Sequence, residues 1–328
     1  MKTERVVVDR WNPDPSLIAR AASLLREGRL VAFPTETVYG LGANGLNPGA
    51  AKKIFLAKGR PPDNPLILHL REPGEARSLA RVDERAAALM EAFWPGPLTL
   101  VLPALPIVPG EVTAGLETVA LRMPDHPVAL ALIEAAGCPV AAPSANRSGR
   151  PSPTDANAVM DDLDGHVDLV LDAGSVEIGV ESTVLDLTGE KAALLRPGGA
   201  SVERLEAFLG EALRQGTDEN SVRRSPGTRY RHYAPRVPVC VWRGERLPDG
   251  VDPPKAGFIG LDVPNADFAR AVVFDSPENF ARGIFAAFRR MEAEGVLSIA
   301  VQWPDGHGIG LALQDRIRRA SEEQKIGR

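Results

Sequence analysis

Cations recur where rigid elements end. Lys58 and Arg60 flank the glycine that closes a helical stretch, Arg122 follows the apolar run Thr118-Val119-Ala120-Leu121, and Arg196 follows Ala193-Leu194-Leu195. One arginine at a strand end is a surface residue as readily as an anion hook. Three in equivalent strand-end or turn positions favour the hook. Hydroxyls and amides gather in the same way: Thr35 and Thr37 come after Leu30–Phe33, and Ser144, Asn146, Ser148 and Ser152 come after Val140-Ala141-Ala142-Pro143. A serine- and asparagine-rich loop can cradle phosphate through hydroxyls and backbone N–H groups, or it can be a plain turn. Spacing alone leaves both open.

The elements that must hold these groups are best read between Gly28 and Leu70, GRLVAFPTETVYGLGANGLNPGAAKKIFLAKGRPPDNPLILHL. Leu30 to Phe33 has the length and composition of a buried strand, and Pro34, lacking an N–H, stops it. Thr35 to Gly42 packs hydroxyls, a carboxylate, a phenol and two glycines into what reads as one strand-end loop. Asn47-Pro48 starts a helix, a capping side chain followed by proline at the first helical position. That helix ends at Gly59 and delivers Arg60 into a proline-stiffened turn with Asn64. Leu66 to Leu70 is a second buried run, interrupted only by His69. Seven of the 38 basic residues are lysines, and three of them, Lys52, Lys53 and Lys58, lie on this helix. A solvated face is the plain explanation; a place for an ammonium, smaller than a guanidinium, is the sharper one. Polar groups at strand ends are where α/β proteins bind small molecules.

The rest of the first two hundred residues reads as scaffold with further strand ends. Asp14-Pro15 starts a helix with Ile18, Ala21, Ala22 and Leu25 on one face, closed by Gly28. Asp83 to Phe93 and Pro127 to Ala136 read as helices, Leu98 to Leu102, Leu169 to Asp172, Ser182 to Leu187 and Ala193 to Leu195 as strands, and Ser201 to Arg214 as a closing helix. Pro103 to Gly115 is a proline- and glycine-rich loop that could border a cleft. Gln215 to Ser225 is polar and without periodicity, a linker by its pattern. Its continuation holds two of the chain's three tyrosines, Tyr230 and Tyr233, with Arg229, Arg231 and His232. Such a cluster suits a segment that folds over a cleft, against the plainer reading of a link docked between domains. From Arg236 the pattern restarts as a small α/β domain: strands over Val237 to Val241, Ala256 to Leu261 and Val296 to Val301, and a helix after Ser276-Pro277 with Phe280, Ile284, Phe288 and Met291 aligned. Gly306 to Gly310 lacks a dinucleotide fingerprint and reads as a turn before the last helix.

Composition sets the outer limits. A chain of 328 residues with 44% hydrophobic and 25% charged residues is an ordinary globular protein of more than one domain. A net charge of −5 argues against a dedicated nucleic-acid binder. Two cysteines, Cys138 and Cys240, cannot form a disulfide framework or a four-cysteine zinc site, and both read as buried apolar residues. No apolar run approaches the ~20 residues of a membrane helix, and the N-terminus MKTERVVVDR lacks a signal peptide's apolar core, so a cytoplasmic protein with no membrane partner is expected.

Taken together, PTETVYGLG, KKIFLAKGRPPDNPL, APSANRSGRPSPT (Ala142 to Thr154), ESTVLDL (Glu181 to Leu187), LLRPG (Leu194 to Gly198) and SPGTRYRHYAP (Ser225 to Pro235) resemble the motifs of the Sua5/YrdC family of threonylcarbamoyl-AMP synthases. The last motif resembles the longer, Sua5-type branch. The resemblance implies an α/β fold with a YrdC-like twisted mixed sheet and flanking helices over 1–214, a linker or lid over 215–235, and a smaller Rossmann-like α/β domain over 236–328. It implies a nucleotidyltransferase that joins L-threonine, bicarbonate or CO2, and ATP into threonylcarbamoyl-AMP and pyrophosphate for tRNA t6A modification. Mg2+ is expected with the ATP, and the product is expected to pass to a downstream tRNA threonylcarbamoyl-transfer enzyme. Carried over by motif, Lys58, Arg60, Ser144 and Asn146 would be catalytic. Thr37, His69, Arg122, Ser182 and the backbone of Ala142 would hold threonine. Arg60, Asn64, Thr118, Ser144, Ser152, Arg196, Tyr230 and Tyr233 would bind ATP, with no protein-held metal. Thr228 stands where the family commonly has methionine, which touches only the packing of the lid.

Two other readings compete. An RNA-binding regulatory module of the same fold would use the basic cleft for a nucleic-acid backbone; the acidic net charge opposes it, and no stable nucleic-acid complex is expected. A carbamoyl-transfer enzyme of the hydrogenase-maturation type would need zinc-finger cysteines that two cysteines cannot supply.

Overall fold

The computed structural model describes residues 2–216, 219–225, 233–244, 246–262 and 265–321. Its strands are β1 (Glu4–Val7), β2 (Val31–Phe33), β3 (Gly40–Asn44), β4 (Ile67–His69), β5 (Leu98–Pro103), β6 (Thr118–Arg122), β7 (Val140–Ala141), β8 (Leu169–Asp172), β9 (Thr183–Asp186), β10 (Ala193–Arg196), β11 (Arg214–Gln215), β12 (Val239–Trp242), β13 (Ala256–Gly260), β14 (Arg270–Val273) and β15 (Ser298–Gln302). The first eleven form one mixed sheet in the order β1-β8-β2-β3-β7-β4-β6-β5-β9-β10-β11. The last four form a separate parallel sheet, β12-β15-β13-β14. This is the expected α/β architecture, a large mixed sheet with flanking helices and a smaller parallel-sheet domain.

The helices begin and end where their chemistry requires. Asn47 accepts from the Ala50 N–H at 3.1 Å, Pro48 opens the helix Pro48–Lys58, and Gly59 closes it at φ 60°, a left-handed conformation that frees the chain to turn. Helix Pro15–Arg26 buries Ile18, Ala21, Ala22 and Leu25, the face its periodicity marks. Helix Pro127–Ala136 runs between its predicted ends. These helices and the strands they cover give two large cores on the sheet, beside a smaller cluster of Ile67, Ala120, Val184 and Leu195. One lies around Leu41, Ile54, Leu68 and Leu100, the other around Leu25, Phe33, Leu132 and Val140.

Several elements differ from the sequence reading. The loop expected from Thr35 to Gly42 is half strand: β3 pairs antiparallel with β2, Phe33 opposite Gly40. Its glycines serve close packing, since a Cβ on Gly42 would sit 2.8 Å from the Phe33 ring. The closing helix ends at Leu209, because Gly210 is left-handed, and Arg214–Gln215 instead joins the large sheet beside β10. The segment read as a bare linker also holds the helix Glu219–Arg224. Strands β1 and β14 and the helix Ala156–Leu163 carry too little alternation or length to stand out in sequence. The loop from Pro103 contains the turn of helix Gly110–Thr113 and lines surface grooves apart from the cavity described below. Cys138 and Cys240 are half-buried rather than buried. No helix among the described residues is long and apolar enough to cross a membrane.

The smaller domain is docked tightly. Its core of Phe280, Ile284, Phe285 and Ile317 also takes in Val180, with Ile178 packed against it, both from the first domain. Gly179 permits this approach: a Cβ there would lie 2.3 Å from the Arg282 Cα. Buried or half-buried ion pairs cross the junction, Arg289 to Asp162 and Arg150 to Glu292, each at 2.7 Å.

Candidate active site

Strand ends from across the middle of the large sheet converge on one cavity of about 60 Å3. It is lined by Thr37 after β2, Lys58 and Arg60 at the end of helix Pro48–Lys58, His69 ending β4, Arg122 ending β6, Ala142, Ser144 and Asn146 after β7, Ser182 before β9, Arg196 ending β10, and Tyr233. Register explains the convergence: His69 is paired with Arg122 across β4 and β6, and with Val140 across β4 and β7. The four cations at 58, 60, 122 and 196 therefore share a single hollow.

Lys58, buried at the cavity wall, donates from Nζ to the carbonyls of Ser144 and Asn146, the latter at 2.6 Å, and reaches Asn146 Oδ1 at 3.5 Å. Burial, with the neighbouring Arg60 charge, pulls its pKa well below the usual lysine range. The Ser148 N–H donates to the Lys58 carbonyl at 2.9 Å, so helix end and serine loop are tied in both directions. Arg60 donates from one guanidinium nitrogen to the carbonyls of Asn64 and Pro65, at 3.0 and 3.3 Å. Arg122 pairs with Glu36 at 2.6 Å, both side chains 4% exposed, and its Nε donates to Gly96 O at 3.3 Å. Arg196 donates to the carbonyl of Ser182 at 3.0 Å and to its hydroxyl at 3.2 Å, while that hydroxyl also shares a 2.8 Å hydrogen bond with Thr99.

Burial, with the Arg122 charge adding to it, holds the His69 imidazole down at about 3. His126, whose Nδ1 accepts the Val128 N–H at the head of its helix, is held at about 4 by burial and then Arg10. Both rings are neutral in the folded protein and take up a proton on unfolding below about 6.5. Unfolding therefore binds protons, and stability falls as the pH drops from about 6.5 toward those folded values. Each ring contributes up to about 1.4 kcal/mol per pH unit. The expected result is a melting temperature that declines between pH 6.5 and 4.5, with a shallower decline in His126→Gln. A variant with the wild-type slope would show that His126 is not the group responsible.

Three sequence-predicted residues lie off the cavity wall. Thr118 begins β6, opposite Pro103, about 13 Å along the strand from Arg122, and lines a separate surface groove. Asn64 stands behind Arg60 and offers it a carbonyl. Ser152 is buried behind the wall and donates to Glu181 Oε1. Tyr230 and His232 lie outside the described residues. Conversely, the motif reading gave no role to Glu36, Glu181 or Arg316. Glu181 lines the cavity, and Arg316, in the last helix of the smaller domain, donates to it from Nε at 2.7 Å. A signal for Arg316 exists: it occupies a helix position in phase with Ala312, Leu313 and Ala320, where an apolar residue is expected.

The chain is similar to known proteins along nearly its whole length. Residues 23–198 match a family profile described as "Telomere recombination", the Sua5–YciO–YrdC family, and residues 200–322 one described as "Threonylcarbamoyl-AMP synthase, C-terminal domain". The chain is 47% identical to the threonylcarbamoyl-AMP synthase of Pyrococcus abyssi over 96% of its own length and 95% of the relative's. It is 45% identical to that of Bacillus subtilis over 98% of each. A crystal structure of P. abyssi Sua5 complexed with L-threonine superposes with a TM-score of 0.90 at 45% identity, covering 97% of this chain and 98% of that one. E. coli YciO matches with a TM-score of 0.56 at 28% identity, over 60% of this chain and 96% of its own.

Proposed function

Because the chain belongs to the Sua5/YrdC family of threonylcarbamoyl-AMP synthases, we propose that its cavity condenses L-threonine, bicarbonate or CO2, and ATP into threonylcarbamoyl-AMP and pyrophosphate. The observation that carries this reading is the convergence of Lys58, Arg60, Arg122 and Arg196 with neutral hydroxyl and imidazole groups on one hollow. Threonine brings a carboxylate and ATP a polyphosphate, and the bond to be made joins a carboxylated amine to a phosphorus.

Arg122 takes the threonine carboxylate, its fork held in orientation by Glu36. Neutral His69 and the hydroxyls of Thr37 and Ser182 then face the amine and the side-chain hydroxyl, with the Ala142 backbone beside them. The free amine adds CO2 with loss of a proton, or bicarbonate with loss of water, to give the carbamate. One carbamate oxygen attacks the α-phosphorus, the bond to the β-phosphate oxygen breaks, and pyrophosphate leaves with the electron pair. Lys58 and Arg60 neutralise charge growing on those oxygens, with Ser144 and Asn146 fixing the phosphates. Arg196 lines the nucleotide side, with Asn64 and Ser152 buttressing it from behind the wall.

The cavity has room for a few waters, on the order of 10–15 Å3 each. Threonine and ATP together need far more. Entry therefore requires one wall to move, and the segment bearing Tyr230 and Tyr233 is our candidate for that lid. Closing it protects the carbamate, which loses CO2 readily in water.

Mg2+ would arrive on the nucleotide. Glu181 on the cavity wall is paired with Arg316, and Glu36, between the lining residues Thr35 and Thr37, with Arg122, so phosphate oxygens and water are its natural ligands. The product would pass to a tRNA threonylcarbamoyl-transfer enzyme in the same compartment, which we take to be the cytoplasm.

The test is pyrophosphate release from ATP by the full-length chain, with and without L-threonine and bicarbonate, alongside mass detection of threonylcarbamoyl-AMP. Release is expected only with both co-substrates. Release indifferent to threonine contradicts the reading.

A further inference from the structure

The last helix of the smaller domain, Ile309–Ser321, sets Arg316 among Ala312, Leu313, Ile317 and Ala320, and Arg316 is 0% exposed. From there its guanidinium crosses into the first domain. Nε donates to Glu181 at 2.7 Å and Nη1 to the Pro197 carbonyl at 3.0 Å, while Nη1 also meets Asp315 at 2.7 Å. Its Cζ lies 5.1 Å from the centre of the Tyr233 ring, which also stacks on Phe285 at 5.3 Å with 25° between planes.

A buried guanidinium is a costly way to fill a core. Apolar residues of similar volume often replace a buried ion pair with no loss of stability. An aliphatic side chain would satisfy the helix packing here. What the arginine adds is simultaneous contact with two residues of the cavity wall, Glu181 and Tyr233. Both need an external hold. Tyr233 has φ 68°, a left-handed conformation that a non-glycine residue keeps only where its surroundings fix it. Glu181 is a buried carboxylate directly before Ser182, the residue that receives Arg196; burial pushes it toward protonation, and Arg316 opposes this most strongly, ahead of Arg196 and the Ser152 hydroxyl.

We propose that Arg316 is a positioning residue, through which the smaller domain seats Glu181 and Tyr233 on the Arg196 side of the cavity and so sets the affinity for the nucleotide. The domain is then part of the site's machinery. This rests on reading that wall as the nucleotide side, with threonine at the Arg122 side.

The experiment uses the full-length chain with Arg316→Met, Arg316→Lys and, as a control, Arg318→Ala, which removes an exposed partner of the same Asp315. Lysine keeps the charge but has neither the fork nor the planar face. Both Arg316 variants are expected to raise the KM for ATP about tenfold or more and to leave the KM for threonine within about twofold. Arg318→Ala should match the wild type. Trypsin cleavage after Arg236, three residues beyond Tyr233, should be faster in both Arg316 variants. Folded Arg316 variants with wild-type KM values and cleavage overturn the proposal. So does a parallel rise in both KM values, the mark of a general structural loss. If Arg316→Met does not fold, Arg316→Lys decides. A wild type without threonine-dependent pyrophosphate release defeats the functional reading instead, and the cleavage rates still decide whether Arg316 seats Tyr233.

Discussion

Arg60→Ala is expected to lower threonine-dependent pyrophosphate release by about a thousandfold at saturating ATP, since removing one preorganised charge-stabilising group from a water-poor site costs about that much. The side chain is 7% exposed and lies 5.8 Å over the Phe55 ring, held in place before any substrate arrives. As a cation in a solvent-facing turn, Arg60 could be removed with almost no change in melting temperature. The structure predicts otherwise. Its guanidinium serves the carbonyls of Asn64 and Pro65, and a buried acceptor left without a donor costs about 1–3 kcal/mol. A fall of several degrees should accompany the kinetic loss. Steady-state kinetics and thermal unfolding on the same preparation check both parts; turnover within tenfold of wild type would remove Arg60 from the chemistry.

Ending the chain after Gln215 should reduce the same activity at least a hundredfold while the large sheet persists. The cut keeps β1 to β11 but removes Tyr233 from the cavity wall and takes Arg316 away from Glu181. It also exposes Val180, now fully buried against the smaller domain. With that wall gone, water reaches the carbamate during adenylation and decarboxylation competes with transfer. Circular dichroism would show the retained fold, and pyrophosphate release would measure the loss. An unimpaired fragment would mean that the segment after Gln215 only joins two domains.

Much of the site was legible because its parts are local. A strand stopped by proline, a helix begun at Asn47-Pro48 and a glycine at its end are decided within a few residues, and they fix where Lys58 and Arg60 emerge. The serine loop after β7 and the arginines ending β6 and β10 follow the same logic. Less legible was whether a polar segment forms a loop or a strand. Thr35 to Gly42 reads as a loop on composition, yet its second half becomes β3 because a neighbouring strand on each side supplies hydrogen bonds. Arg214–Gln215 enters the sheet for the same reason, through pairing with residues some twenty positions earlier.

Residue types and short-range spacing thus indicated the α/β pattern, several helix starts and ends, and cations at strand ends and turns, which the family resemblance gathered into one site. Only the tertiary structure decided which carboxylates those cations meet. Glu36 finds Arg122 86 positions away, and Glu181 finds Arg316 135 positions away in another domain. It also set Thr118 at the far end of its strand and pressed Tyr233 into the wall. The division is physical: caps, breakers and periodicity act between neighbours in the chain, whereas charge pairing and the closing of a cavity depend on distances in space that folding alone sets.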